Sequence, residues 1–432
     1  MPPATGSSAI LRTLRHPDYG LYTLGNSVSL IGMWMQRISI GWLTWDLTHS
    51  GTWLGAVAFA DLFPSVFIGL IGGVAADRLD RVRVIMACQG TAMLLSVLMG
   101  ILTLSGHVTV ELLFVLVFLG GVVIGFNQPS RLALVPSLVP RENLTTAVAI
   151  NSIVFNTARF IGPAIAGLVI VASDVAWAFF ANAVSYLALL VALAVIRRRN
   201  PGAGRDPGAV RPRTGIIADI GAGIGYAVRH PGIGPLLGLH LVGSIMVRPV
   251  LELLPGFADR VFQGGADTLA TLTSTVGIGA VIGGWLLARR SGTDGLVTLV
   301  LASTAGISLA VLAFVATDEL WVGIAAAAVL GAVMVASGVG LQTVVQLAVE
   351  PSIRGRVLAL HGLIFRGGPA IGALMMGTAG DLVGLPIPVG VGAVVALVMT
   401  GLVALRSDRI RAAIEGPPPA VAGRSAGDGG GT

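Results

Sequence analysis

Apolar segments long enough to cross a bilayer follow one another along almost the whole chain. They fall at about residues 19–46, 52–76, 84–104, 110–129, 145–172, 174–196, 232–256, 268–288, 295–316, 319–346, 357–381 and 384–405. A helix needs roughly 20 residues to cross a 30 Å hydrocarbon core. With no water in that core, every backbone N–H and C=O must be satisfied within the segment, which a helix does. Composition agrees: 54% of residues are hydrophobic and 11% charged, against roughly 25% charged in soluble domains. The 60 glycines suit helices that pack closely in lipid. The expected fold is an all-α polytopic membrane protein with twelve transmembrane helices.

All 27 basic residues are arginine. Without lysine there is no Walker A phosphate loop, and Schiff-base chemistry is excluded. The single cysteine, Cys88, rules out an intramolecular disulfide. No metal-ligand cluster, HExxH motif or nucleophile elbow is found, so no enzyme, cofactor or metal is expected. The basic balance, +6, comes from arginines in short loops between apolar spans. That pattern is a topology signal rather than a nucleic-acid surface.

The loops divide the chain. Residues 1–18 form a polar N-terminal segment with no cleaved signal peptide. Residues 19–196 and 231–405 each hold six spans. The stretch 197–230 is a basic, Pro/Gly-rich linker that ends in an amphipathic segment near 215–228. There Ile216, Ile217, Ile220, Ile224 and Ala227 gather near one face, as in an interfacial helix. Residues 406–432 are expected to be a disordered tail. Arginines crowd alternate loops: Arg78, Arg81 and Arg83; Arg131 and Arg141; the linker; Arg289 and Arg290; Arg354 and Arg356. The remaining loops hold one, Arg260. The imbalance places both termini and the linker in the cytoplasm.

The two sets of six spans repeat. Arg15-His16-Pro17 returns as Arg229-His230-Pro231, and Gly32, Met35 and Arg37 return as Gly243, Met246 and Arg248. Ile71-Gly72-Gly73 returns as Ile282-Gly283-Gly284, and Gly162-Pro163-Ala164-Ile165 as Gly368-Pro369-Ala370-Ile371. The offset drifts from 214 residues (229 against 15) to 206 (368 against 162). Two repeated six-helix halves imply a transporter architecture with its site at their interface, near the middle of the membrane.

Gly73-Val-Ala-Ala-Asp77-Arg78-Leu-Asp80-Arg81 resembles the loop between helices 2 and 3 of the major facilitator superfamily, with Asp80 where a glycine usually stands. Asn127-Gln-Pro-Ser-Arg131, Arg141-Glu-Asn-Leu144, Asn151-Ser152, Gly355-Arg356 and Phe365-Arg366-Gly-Gly-Pro369 are similar to the bacterial branch typified by the enterobactin exporter. Gly162-Pro163 with Gly167 resembles, in shortened form, the helix 5 motif of exporters in this superfamily. The resemblance implies export across the bacterial inner membrane.

Intramembrane charges are functional-site candidates by default. Arg37 and Asp61 lie at similar depth on adjacent spans and can pair. Arg248 and Glu252, spaced i, i+4, can pair within the seventh span. Asp61 and Glu252 are the proton-coupling candidates, with plain charge neutralisation as the alternative. Arg37, Arg159, Arg248 and Arg366 are the substrate-cavity candidates. Arg159 and Arg366 have no acid at helical spacing, so they either attract an anionic group or bond carbonyls freed by the prolines. Gly73, Asp77, Arg78 and Arg81 form a candidate cytoplasmic latch, in which Asp77 and Arg81 pair. Gly162, Pro163, Gly167, Gly368 and Pro369 mark expected helix breaks and bends. His240 and His361 are read as packing or interfacial residues, and Asp46 as interfacial.

The expected function is secondary active transport by a monomer. A proton-coupled exporter would carry a small amphipathic or anionic compound, siderophore-like or drug-like, by alternating access. A broad multidrug–proton antiporter is the alternative in the same class. A non-transporting membrane sensor or scaffold is the alternative of another class.

Overall fold

The computed structural model describes residues 6–202, 204, 216–290 and 294–414. The secondary structure among these residues is helical, with no strand. The helices are α1 (Gly6–Leu14), α2 (Pro17–Thr48), α3 (Gly51–Arg78), α4 (Arg81–Leu104), α5 (Val110–Leu134), α6 (Leu144–Ala172), α7 (Val175–Arg199), α8 (Ile216–Arg229), α9 (Ile233–Met246), α10 (Leu254–Gly256), α11 (Ala266–Ala288), α12 (Leu296–Val315), α13 (Leu320–Ala348), α14 (Pro351–Val383), α15 (Pro386–Ala404) and α16 (Ser407–Ile414). Among the described residues, eleven stretches are long and apolar enough to cross a membrane. The twelfth is α2, whose 32 residues suffice in length. Asn26, Gln36 and Arg37 dilute its hydropathy, and all three turn away from lipid.

Local chemistry sets the helix starts. α2 opens on Pro17 with Asp18 in its first turn, which suits the missing N–H and the positive end of the helix. Ser50, Asp80, Thr109 and Asp174 each accept a hydrogen bond from the first turn of α3, α4, α5 and α7. Asp80, the departure from the family loop, is thus the N-cap of α4. Side chains such as Leu168 and Leu382, 71% and 83% exposed, cover the surface that meets lipid. The protein is a multi-pass membrane protein.

The seventh span departs from expectation. It is a regular helix only to Met246 and continues as a 3-10 turn (Arg248–Leu251), the short α10 and a π turn (Phe257–Val261). Pro249 and Pro255 remove two backbone donors within seven residues, which ends regular helix. α6 and α14, by contrast, stay helical through Pro163 and Pro369, so the expected breaks are absent there. The tail also differs, because Ser407–Ile414 forms α16 and buries Ile410. α8 lies where an amphipathic segment was expected, but Ala227 is buried while Ile224 is exposed. The other three apolar positions of that face, Ile216, Ile217 and Ile220, have side chains outside the described residues, as does the linker from 205 to 215.

Each half packs its own helices, and the halves meet along α3 against α14 and α6 against α11. The first contact depends on missing side chains. A Cβ added at Gly377 would strike the backbone carbonyl of Gly51, and one at Gly55 that of Ala373. The duplicated Gly-Pro pairs hold equivalent places. Gly162 lies against Ile31 and Trp34 of α2, and Gly368 lies against Ser244 of α9. Each lets the first spanning helix of its half come close. On the face away from the chain ends, Trp45 and Leu54 of the first half are buried among Val250, Phe257, Phe314 and Leu385 of the second. That face is sealed.

Candidate functional site

Arg37 is the centre of the interface. It lies eleven residues before the end of α2, about 16 Å from that end at 1.5 Å per residue. Asp61, ten residues into the returning α3, reaches a similar depth. Arg37 Nη1 donates to Asp61 Oδ2 at 2.6 Å, as the depth argument required. Its Nη2 donates to Glu252 Oε1 at 2.8 Å. One guanidinium therefore bridges two carboxylates, one from each half. The three side chains are 31%, 22% and 21% exposed.

The expected Arg248–Glu252 pair is not formed. An i, i+4 contact presumes an uninterrupted α-helix, and the 3-10 turn at Arg248–Leu251 changes the direction in which Glu252 points. Glu252 goes to Arg37, while the Arg248 guanidinium lies 3.9 Å from the Phe365 ring centroid. Arg37 and Arg159 sit 5.8 and 5.6 Å from the Trp34 ring, whose edge meets Phe155. Arg366 lies within Coulombic range of Asp61. Among the described residues, Arg159, Arg248 and Arg366 have no carboxylate partner. Four guanidiniums against two carboxylates leave two positive charges around the interface. The cluster can hold an anionic group, and aromatic faces beside it can hold an apolar one.

The remaining expectations divide. Arg81 is buried and donates to the carbonyls of Ala76 and Ala133, which ties the ends of α3 and α5. The side chain of Asp77, its expected partner, lies outside the described residues. Arg78 is exposed beside it, and Gly73 is half-buried. Gly167 meets Ala270 of α11 across the interface. His240 and His361 stack on each other at 4.8 Å and flank Phe365. Asp46 is exposed near the end of α2.

Two features escaped the sequence reading. Inside the first half, Ser96 and Asn182 both donate to Gln36 Oε1, at 2.5 and 2.6 Å, joining α4 and α7 to α2. At the sealed face, Asp381 at the end of α14 accepts from Ser50 Oγ (2.6 Å), Gly51 N (2.6 Å) and Thr52 N (2.9 Å). It thereby caps α3 from across the interface. Trp45 Nε1 donates to Asp259 at 2.8 Å, and Arg260 donates to the His49 carbonyl while covering Trp45. Arg260, the lone arginine of its set of loops, is thus a closing contact. Pro249 and Pro255 were the available sign that Glu252 would leave helical register. Nothing local marks the partner of Asp381.

Residues 9–415 match the family model described as transmembrane secretion effector. The chain belongs to the major facilitator superfamily. Its relatives in this superfamily include the enterobactin exporters EntS of Shigella boydii serotype 4, 28% identical over 381 residues, and of Escherichia coli O1:K1, 27% identical over 379. Each alignment covers 87% of both chains. Among solved structures, a POT family transporter in complex with a thioalcohol-conjugated peptide aligns with a TM-score of 0.72 at 12% identity, covering 91% of this chain and 96% of that one. A bacterial homolog of the lysosomal transporter Spinster, inward-facing and unoccupied, aligns with a TM-score of 0.66 at 15% identity, covering 93% and 98%. At these identities the structural likeness speaks to the fold. This superfamily member is a transporter, and the family gives no support to an enzyme.

Proposed function

We propose that the protein is a proton-coupled exporter of an amphipathic, anionic small molecule of the siderophore class. It works as a monomer in the bacterial inner membrane, with both termini and the linker in the cytoplasm. The observation that carries this reading is the guanidinium excess around the interface, flanked by Trp34 and Phe365. An acidic, aromatic compound such as a catecholate finds there both countercharge and ring faces. Relatives named as enterobactin exporters point to the same class of cargo. The arginine-rich loops support the orientation.

Coupling follows from the Arg37 bridge. Alternating access requires the halves to separate at mid-depth, and the Arg37–Glu252 bond resists that. Protonating Glu252 removes the charge that holds Arg37 across the interface, so proton arrival and interface opening become one event. Asp61 keeps Arg37 on its own half meanwhile.

The test uses proteoliposomes with an internal pH indicator, an imposed proton gradient and a catecholate siderophore. The parent moves protons only when substrate is present, Glu252→Gln transports without coupled proton flux, and Asp61→Asn loses coupling in part. Unchanged coupling in both variants would sink the carboxylate assignment. Movement of cationic drugs in place of the catecholate would favour the multidrug reading.

A further inference from the structure

The repeat of the two halves begins before their first spans. α1 and α8 each precede one, and the offset of 214 residues between Arg15 and Arg229 carries back through both helices. α1 packs on α2 and α6, and α8 packs on the equivalent pair, α9 and α14. Thr13 and its counterpart Ala227 are buried, while Ile10 and its counterpart Ile224 turn outward, 37% and 45% exposed. Leu11 and Val228 are exposed beside them. The joints match as well. A Cβ at Gly20 would strike the Leu14 carbonyl, and one at its counterpart Gly234 the Ala227 carbonyl. Contacts six and seven residues back require the chain to fold over at each His-Pro turn, so α1 and α8 turn aside instead of extending α2 and α9.

We propose that α1 and α8 are paired lipid-binding helices that seat in one leaflet and select phospholipids with anionic headgroups. A helix packed on a soluble core buries its large apolar residues and shows its small or polar ones. Here the order is reversed: Thr13 and Ala227 face protein, and Ile10, Leu11, Ile224 and Val228 face outward. A turn of two or three residues holds each helix at the end of a membrane span, the level of the headgroups, where acyl chains cover that apolar face. Arg12, Arg15 and Arg229 are exposed, and among the described residues none of them has a carboxylate partner. Anionic headgroups supply the missing countercharge. The inference goes beyond the export reading. Only the choice of leaflet rests on the orientation proposed above, which makes it the inner one.

Full-length protein with Cys88→Ala carries a bimane label at Ile10→Cys or Ile224→Cys. It is reconstituted into nanodiscs that hold spin-labelled phosphatidylglycerol or spin-labelled phosphatidylcholine. Both labels should be quenched by the lipids, more strongly by phosphatidylglycerol, and shielded from aqueous iodide. Arg15→Gln should cut the preference about fivefold at Ile10 and leave Ile224 unchanged, and Arg229→Gln should do the reverse. Both arginines are exposed, so these variants are expected to fold. Iodide quenching of either label, equal quenching by the two lipids in the parent, or a preference untouched by the substitutions would each overturn the proposal. Shielding from iodide and lipid alike would put a second copy on this face and overturn it too. None of these readouts depends on transport or sidedness. An impermeant thiol reagent applied to cells carrying Ser105→Cys tests the orientation separately.

Discussion

Replacing Asp381 by alanine should open the sealed face. Its carboxylate accepts three hydrogen bonds across the interface, two of them from the first turn of α3. Fully buried, hydrogen bonds to a charged group contribute about 1.5–3 kcal/mol each, and a negative charge at a helix N-terminus adds about 0.3–1 kcal/mol. The Ser50 and Thr52 contacts are exposed, so water competes for them and the set is discounted to about 2 kcal/mol. The clasp exists only when this face is closed, so the whole loss falls on the closed state. About 2 kcal/mol is roughly a 30-fold shift in the equilibrium. If about 1% of the parent is open at this face, about a quarter of Asp381→Ala should be. Spin labels at Ser105→Cys and Asp318→Cys, exposed loop positions in opposite halves, report the change by pulsed electron resonance in a Cys88→Ala background. A distance distribution that superimposes on the parent's, from a variant with parental helicity, would refute the clasp.

Two other substitutions probe the same frame. Arg37→Gln strands two partly buried carboxylates and should destabilise the protein by about 3 kcal/mol. The triple variant Arg37→Gln, Asp61→Asn, Glu252→Gln should recover most of that loss by thermal melting, and a triple variant no better than the single one would show that charge burial is not the cause. Gly377→Leu drives a side chain into the Gly51 carbonyl, so the spin-label distance should lengthen with Asp381 intact and transport should fall more than tenfold. Parental distances in that variant would mean that close α3–α14 packing does not set closure.

Much of the site was legible because its determinants are local. An ionised side chain in an apolar span announces itself by its cost, so Arg37, Asp61, Arg159, Glu252 and Arg366 stood out in the sequence. Where two helices are joined by a short loop, depth can be counted, and that count paired Arg37 with Asp61. The same counting failed for Glu252, because Pro249 broke the helix on which the i, i+4 rule depends. His240 and His361 read as packing residues, and they do stack. What the sequence did not show is that Ser244 and Arg248 beside them pack on Gly368 and Phe365 of α14.

The sequence by itself determined the number of spans, the division into two repeated halves and the set of charges that must be hidden from lipid. Each is a property of composition at a given position along one helix. Only the tertiary structure decided which charges meet. Glu252 reaches Arg37 across 215 residues of chain and Asp381 reaches Gly51 across 330. Such contacts depend on glycine-lined approaches between helices, notably α3 against α14. The energy that punishes an unpaired charge is local, but the partner that relieves it is chosen by packing.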